Sequence, residues 1–408
     1  MSTEIIHESP TLKGAASDYW SRVKAGDIGA LPAILGLVVL CGIFGAMSDV
    51  FLTPGNFANL LTQAAAVIVI AMGLVFVLLL GEIDLSAGFA AGVSGAVLVI
   101  LITNHDVAWY IAFPISIMVG GLLGFILGTL VARVGIPSFV VTLAAFLAFQ
   151  GLLLLLAGEG GTIRIEDKTI LAVQNSNLSP ILSWVFCIVV AVAYVGTGLN
   201  RINTRRRAGL KSELVKLWVI KTTSLLLITG GAVFALTVER SNNPDLVSLK
   251  GIPYVVPLIL FLLAVGTFVL GRTAFGRHIY AVGGNAEAAR RAGINVKRVR
   301  IAAFVICSAL AAVAGMIFAS RQNSISPTTG GSSTLLYAVG AAVIGGTSLF
   351  GGKGKMRDAI LGGLVVAVID NGMGLLGYAA GIKFIVTGLV LLVSAGVDAV
   401  SRRGSSVS

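Results

Sequence analysis

Twelve apolar runs, each about 17 to 25 residues long, decide what this chain can become. That is the length an α-helix needs to cross the hydrocarbon layer of a membrane. The runs lie near 30–48, 57–80, 86–103, 108–132, 138–157, 181–199, 217–238, 253–271, 301–319, 334–350, 359–380 and 382–400. None shows the two-residue alternation of a porin strand, so the expectation is helical, not a barrel. Composition agrees: 56% of residues are hydrophobic and only 12% charged, too little polar surface for a soluble domain of 408 residues. The chain therefore reads as an all-α polytopic membrane protein. Its 51 glycines exceed the usual share of about 7% and suit close approach of packed spanning helices.

Charge orients the spans. Of the 29 Lys and Arg residues, all but Arg164, Lys168, Arg240, Lys250, Arg321 and Lys383 fall on one side if both termini are cytoplasmic, as the positive-inside rule requires. The net charge of +11 is then an orientation signal with an attraction to anionic membrane lipid, and not a nucleic-acid footprint. Residues 1–29 mix Glu4, Glu8, Asp18 and Asp27 with basic residues ahead of a full-length span, and read as a retained cytoplasmic tail, not a signal peptide. The membrane-spanning body is expected over 30–400 and a second cytoplasmic tail over 401–408. Cys41, Cys187 and Cys307 sit in apolar spans without metal-like spacing and read as buried packing residues.

The hydrophilic island Arg272–Arg300, RTAFGRHIYAVGGNAEAARRAGINVKRVR, interrupts the apolar pattern on the basic side. Within it Asn285 is a good N-cap, Glu287 occupies the first turn, Ala286, Ala288 and Ala289 favour helix, and Gly293 is placed to end it. A helix of fewer than two turns is marginal alone in water, so this one requires support from its own protein or from a partner. On the other side, the polar stretch Gly158–Pro180, with Glu159, Arg164, Glu166, Asp167 and Lys168, is either a partner-facing surface or a solvated connector.

Polar residues inside or beside apolar spans are expensive and suggest a path or a gate. Glu82 and Asp84, in Gly81-Glu-Ile-Asp-Leu-Ser86-Ala-Gly, fall at the cytoplasmic end of the second run. There Asp84 or Ser86 would cap the third span, and a fixed helix end beside a pore is also a gate element. Asp370 and Asn371 fall midway along 359–380, and two readings stand: they line a permeation path, or they bond a neighbouring helix. Asn59, Gln63 and Gln150 carry the same pair of readings. GEIDLSAG at 81–88 loosely matches GGTSLFGG at 345–352, a trace of an internal repeat such as many transporters contain.

Enzyme readings fail on spacing. His7, His105 and His278 are isolated, and no metal site or catalytic triad is visible. The run Gly346–Lys353 has one residue too many for a phosphate loop, and Gly354 stands where Ser or Thr belongs, so any nucleotide energy must come from a partner.

Three ordered motifs, GEIDLSAG, RHIYAVGGNAEAARRAGINVKRVR and GGTSLFGGKGKMRDAILGGLVVAVIDNGMGLLG, together resemble the membrane permeases of bacterial monosaccharide ATP-binding-cassette importers, over about 51–400. The resemblance implies a passive inner-membrane translocation subunit, working as a homodimer with an ATPase and a periplasmic sugar-binding protein. ATP and Mg would reside on the ATPase and no cofactor on this chain. By position it assigns ATPase coupling to Asn285, Ala286, Glu287, Ala288, Ala289, Arg290, Gly293 and Ile294. Ribose-type members look like a core of about ten spans; the extra pair near 181–238 resembles the xylose type, making D-xylose the expected sugar. An ion-coupled secondary transporter is the rival, with Asp370 as its mid-span carboxylate.

Overall fold

A computed structural model of the chain describes residues 31–158, 161–208, 215–241, 243–245 and 247–405, with side chains placed through residue 396. The expected 1–29 tail lies outside the described residues. The apolar runs become α1 (Leu31–Met47), α2 (Pro54–Leu78), α3 (Ala87–Thr103), α4 (Trp109–Thr129, continued by a π turn to Val134) and α5 (Ser138–Ala157). After β1 (Ile163–Arg164) and the short α6 (Lys168–Asn175) come α7 (Pro180–Arg207), α8 (Val215–Thr237) and α9 (Val255–Arg272). Then follow α10 (Ala274–Gly284), α11 (Ala286–Arg291), α12 (Val296–Gln322), β2 (Ser324–Ile325), α13 (Ser332–Ile344), α14 (Met356–Leu375) and α15 (Ala380–Ser405). Among the described residues eight helices are long and apolar enough to cross a membrane, and α1, α3, α13 and the start of α15 are shorter apolar helices. The twelve expected runs thus find one helix each.

Several boundaries differ, for local reasons. The run expected over 334–350 starts at Ser332 and stops at Ile344, because the chain turns sharply through Gly346. The run expected over 359–380 starts at Met356 and ends at Leu375, just before a turn through Gly377. Its start is set by Asp358, whose carboxylate accepts from the Lys355 N–H at 2.7 Å. α15 runs on to Ser405, so part of the expected 401–408 tail is helical.

The chain divides into two compact units. The larger comprises 29–177 and 253–399. Its centre is α12, on which α2, α3 and α4 all pack, while α14 packs on α2 and α13. Small residues make this possible. Gly120, Gly124 and Gly128 of α4 present a glycine every fourth residue to the α12 backbone at Ser308, Phe304 and Ile301. Gly73 of α2 lies against Cys307, where an added Cβ would come within 2.9 Å of the carbonyl oxygen. Cys307 is accordingly buried, but Cys41 and Cys187 are only half-buried, which corrects the reading of all three as interior. Side chains alone do not separate these helices, so backbones meet and dispersion contacts accumulate over their length.

Of the Gly158–Pro180 stretch, Glu159 lies outside the described residues and 161–180 are folded. Asp167 caps α6 by accepting from the Thr169 and Ile170 N–H groups, each at 2.9 Å, and Ile165 and Ile170 are buried. β1 pairs antiparallel with β2, and Asn175 donates to the Ser320 carbonyl at the end of α12.

The second unit, built on Leu178–Ile252, contains the expected extra pair as α7 and α8. Trp218 lies against Gly198 between the two helices. The segment after α8 folds around Glu239, whose carboxylate accepts from the N–H groups of Ser241 and Leu249 and from the Ser248 hydroxyl, and pairs with Lys250 at 3.6 Å.

Candidate functional site: a capped surface helix and interrupted spans

The 272–300 island is built as its sequence dictates. Asn285 Oδ1 accepts from the Ala288 N–H at 2.9 Å, opening α11. Gly293, at φ +83°, closes it, with its own N–H bonding the Arg290 carbonyl and the Ile294 N–H reaching back to Ala289. That double bond with a left-handed residue is the Schellman arrangement, for which glycine carries no Cβ penalty. Ala289 is buried, and Ala286 and Ile294 pack against the core. These three of the expected coupling residues anchor the helix, leaving Glu287, Ala288, Arg290, Arg291 and Gly293 on its exposed side.

Glu287 is already engaged. Its carboxylate receives Arg290 Nε and Nη2 at 2.9 and 2.8 Å and Arg291 Nε at 3.1 Å. Those two guanidiniums hold its carboxyl down at about 2. The free face of α11 is thus a pair of ordered guanidiniums with one carboxylate behind them.

α10 seats this helix on the rest of the unit. Gly283 packs directly on the Leu79 carbonyl, and the Gly352 N–H donates to that same carbonyl at 2.8 Å. Tyr280 donates its hydroxyl proton to the Gly354 carbonyl at 2.7 Å; burial first, and the Asp358 charge second, push its phenol up. The two motifs singled out as a possible repeat, 81–88 and 345–352, therefore meet here, with Gly81 beside the Phe350 backbone.

From this junction the gate candidates diverge. Glu82 pairs with Arg300 at 3.1 Å, both largely covered. Asp84 is fully buried, with Oδ1 accepting from the Ser86 N–H at 2.9 Å and the Ser86 hydroxyl at 2.6 Å, and the Cys307 thiol also faces this carboxyl. Capping at the start of α3 belongs to Asp84: Ser86 stands at the N-cap position, but its side chain makes no cap bond. Asp84 also lies deeper than its place after a span suggests. Arg300 and Arg321 bracket about 20 residues of α12, roughly 30 Å of helix. Asp84 meets that helix at Cys307, and Ala91 and Gly95 meet it at Gly315. α3 therefore begins inside the membrane layer.

The remaining candidates sit elsewhere. α14 ends at Leu375, so Asp370 is near the helix end rather than midway; it is 43% exposed and pairs with Lys383 at 3.5 Å. Its charge also acts on Arg321 and Tyr337. Asn371 exchanges two amide hydrogen bonds of 2.9 Å with Asn56 of α2 and donates to Gln63 at 3.3 Å, an interhelical clasp. Asn56, which completes it, escaped sequence reasoning because its partner lies 315 residues away. Asn59 is exposed near the start of α2, and Gln150 is exposed halfway along α5.

The residues between the expected runs 301–319 and 334–350 drew no reading from the sequence. In the structure the Thr329 and Gly330 carbonyls lie against Gly92 and Gly88 of α3. Since Asp84 and Gly95 bracket Gly88 along α12, Ser326–Gly331 is non-helical backbone near mid-membrane. The run of hydroxyl residues and paired glycines in SPTTGGSST was the available signal.

Comparison with known proteins gives a consistent result. Residues 56–395 match the family model described as the branched-chain amino acid transport system / permease component. The chain is 35% identical to the xylose transport system permease protein of Escherichia coli strain K12, over 95% of this chain and 96% of that one. Identity is 32% to the xylose transport system permease protein of Haemophilus influenzae, covering 94% and 99%, and 28% to the ribose import permease protein of E. coli K12, covering 90% and 92%. No solved structure matches. Matched along most of its length by the family model and by a relative above 30% identity, the protein belongs to this family of membrane transport permease components.

Proposed function

We propose that this chain is the inner-membrane translocation subunit of an ATP-binding-cassette sugar importer, acting on D-xylose. It takes sugar from a periplasmic binding protein and is driven by a cytoplasmic ATPase that holds ATP and Mg. The nearly full-length likeness to xylose permeases supports the substrate, and its greater identity to these than to a ribose permease favours xylose over ribose. The observation that carries the mechanism is α11. It is a capped, six-residue helix whose inner alanine is buried and whose outer face is an ordered pair of arginines. A helix so short and so firmly finished at both ends is suited to bearing load from a partner. In this reading Asn285, Ala286, Ala289 and Ile294 hold the helix, while Glu287, Ala288, Arg290 and Gly293 meet an acidic groove of the ATPase. Two copies of the chain would enclose the path.

Ion coupling loses its main support, because Asp370 is paired with Lys383 near a helix end. Reconstitution into vesicles with the cognate ATPase and binding protein tests the proposal. Xylose uptake is expected only with both partners and internal ATP. Uptake driven by a proton or sodium gradient without them overturns it.

A further inference from the structure

Residues 326–331 place irregular backbone where a membrane protein ordinarily has none. Backbone polar groups at that depth are tolerated only when buried in protein or facing water. Here part of the segment is satisfied internally. The Thr329 N–H bonds the Ser326 carbonyl, the Gly331 N–H bonds the Thr328 carbonyl, and the Ser326 and Thr329 hydroxyls lie 3.2 Å apart. Gly330, at φ +75°, allows its backbone to touch Gly88, a position no larger residue fits.

The rest of the segment points outward. Thr328 is exposed, its hydroxyl 3.1 Å from that of Ser326, and Ser332, the first residue of α13, is exposed as well. Gly331, the N-cap of α13, has no side chain to cap it, so the first-turn N–H groups of a mid-membrane helix have no side-chain cap. Gln150 belongs to the same face by an independent route. On α5 it lies between Phe146, whose ring meets Phe89 of α3 at 4.8 Å, and Leu153, which fills the space beside Gly92. Positions 146, 150 and 153 share one helical stripe, which puts the exposed Gln150 amide on the side of α3 and the 326–331 segment.

From these observations we infer that Thr328, Ser332 and Gln150 form a water-facing contact surface for a polyhydroxylated solute at the midpoint of the membrane, donating and accepting hydrogen bonds as the sugar passes. Hydroxyls, an amide and uncapped N–H groups match sugar hydroxyls, which both donate and accept, and none of the three side chains carries a charge that would favour an ion. The inference rests on the importer reading for its substrate, though its water-facing character does not.

The test is labelling of single introduced cysteines in the assembled complex in vesicles, with the half-buried Cys41 and Cys187 replaced by alanine and the buried Cys307 retained. Thr328→Cys, Ser332→Cys and Gln150→Cys are expected to react with a small membrane-impermeant thiol reagent much faster than Leu155→Cys, whose side chain is 81% exposed on α5. Saturating xylose should slow the reaction. Separately, Thr328→Val should raise the KM for xylose uptake about 3- to 10-fold, as loss of one hydrogen bond does. Labelling no faster than at Leu155→Cys overturns the inference. So does fast labelling that xylose leaves untouched together with an unchanged KM. If the wild-type complex takes up no sugar with ATP while these positions label rapidly, the importer reading fails and the water-facing surface stands.

Discussion

Asp84 shows what a single buried carboxylate does in this protein. It accepts two hydrogen bonds from Ser86 at the point where α3 begins within the membrane layer. Asp84→Asn keeps an acceptor there, whereas Asp84→Ala leaves a buried N–H and hydroxyl unmet, at about 1–3 kcal/mol. The alanine variant should therefore melt earlier in detergent and transport less than the asparagine variant; equal behaviour would reject the capping role. Glu287 makes the opposite case, an exposed carboxylate committed to its neighbours. With a folded pKa of about 2 against an ordinary 4.5, its ion pairs are complete above about pH 4.5 and are lost only as pH falls toward 2. Any difference in ATPase association between wild type and Glu287→Gln should thus be constant from pH 5.5 to 8. Glu287→Lys should weaken association more than Glu287→Gln, because it both releases and repels the two arginines. The caps Asn285 and Gly293 were legible in the sequence because capping is local. The depth of Asp84 was not, since it depends on which helix lies opposite.

At the scale of elements, apolar length placed twelve helices correctly, and glycine spacing explains how they touch. Gly124 faces the Phe304 backbone, whereas an added Cβ at Gly121 would meet nothing closer than 3.8 Å. Gly124→Ala should therefore cost about 1–3 kcal/mol of stability by forcing α4 from α12, while Gly121→Ala stays near neutral. Thermal unfolding of the purified variants reads the difference. Hydropathy was a poor guide where helices are interrupted. A window centred on 334–350 averages in the polar residues after Ile344 and passes over Ser326–Gly331, whose depth follows from backbone contacts with Gly88 and Gly92. Gln150 looked like one polar residue among several until Phe146 and Leu153 fixed its side of α5.

For the whole molecule, charge asymmetry predicts that the 272–300 island and the 158–180 stretch lie on opposite sides of the membrane. Arg291→Cys and Glu166→Cys, both on exposed side chains, should be labelled by an impermeant reagent from opposite faces in intact cells and inverted vesicles. Labelling of both from one face would undo the orientation. The junction of Gly283, Leu79 and Gly352 bears on how such a molecule would work. Three backbones meet there without an intervening side chain, so the contact is a joint without backlash. If a partner displaces α11 as proposed, no rotamer change at this contact would absorb the movement, which is expected at the two turns from which α3 and α14 depart.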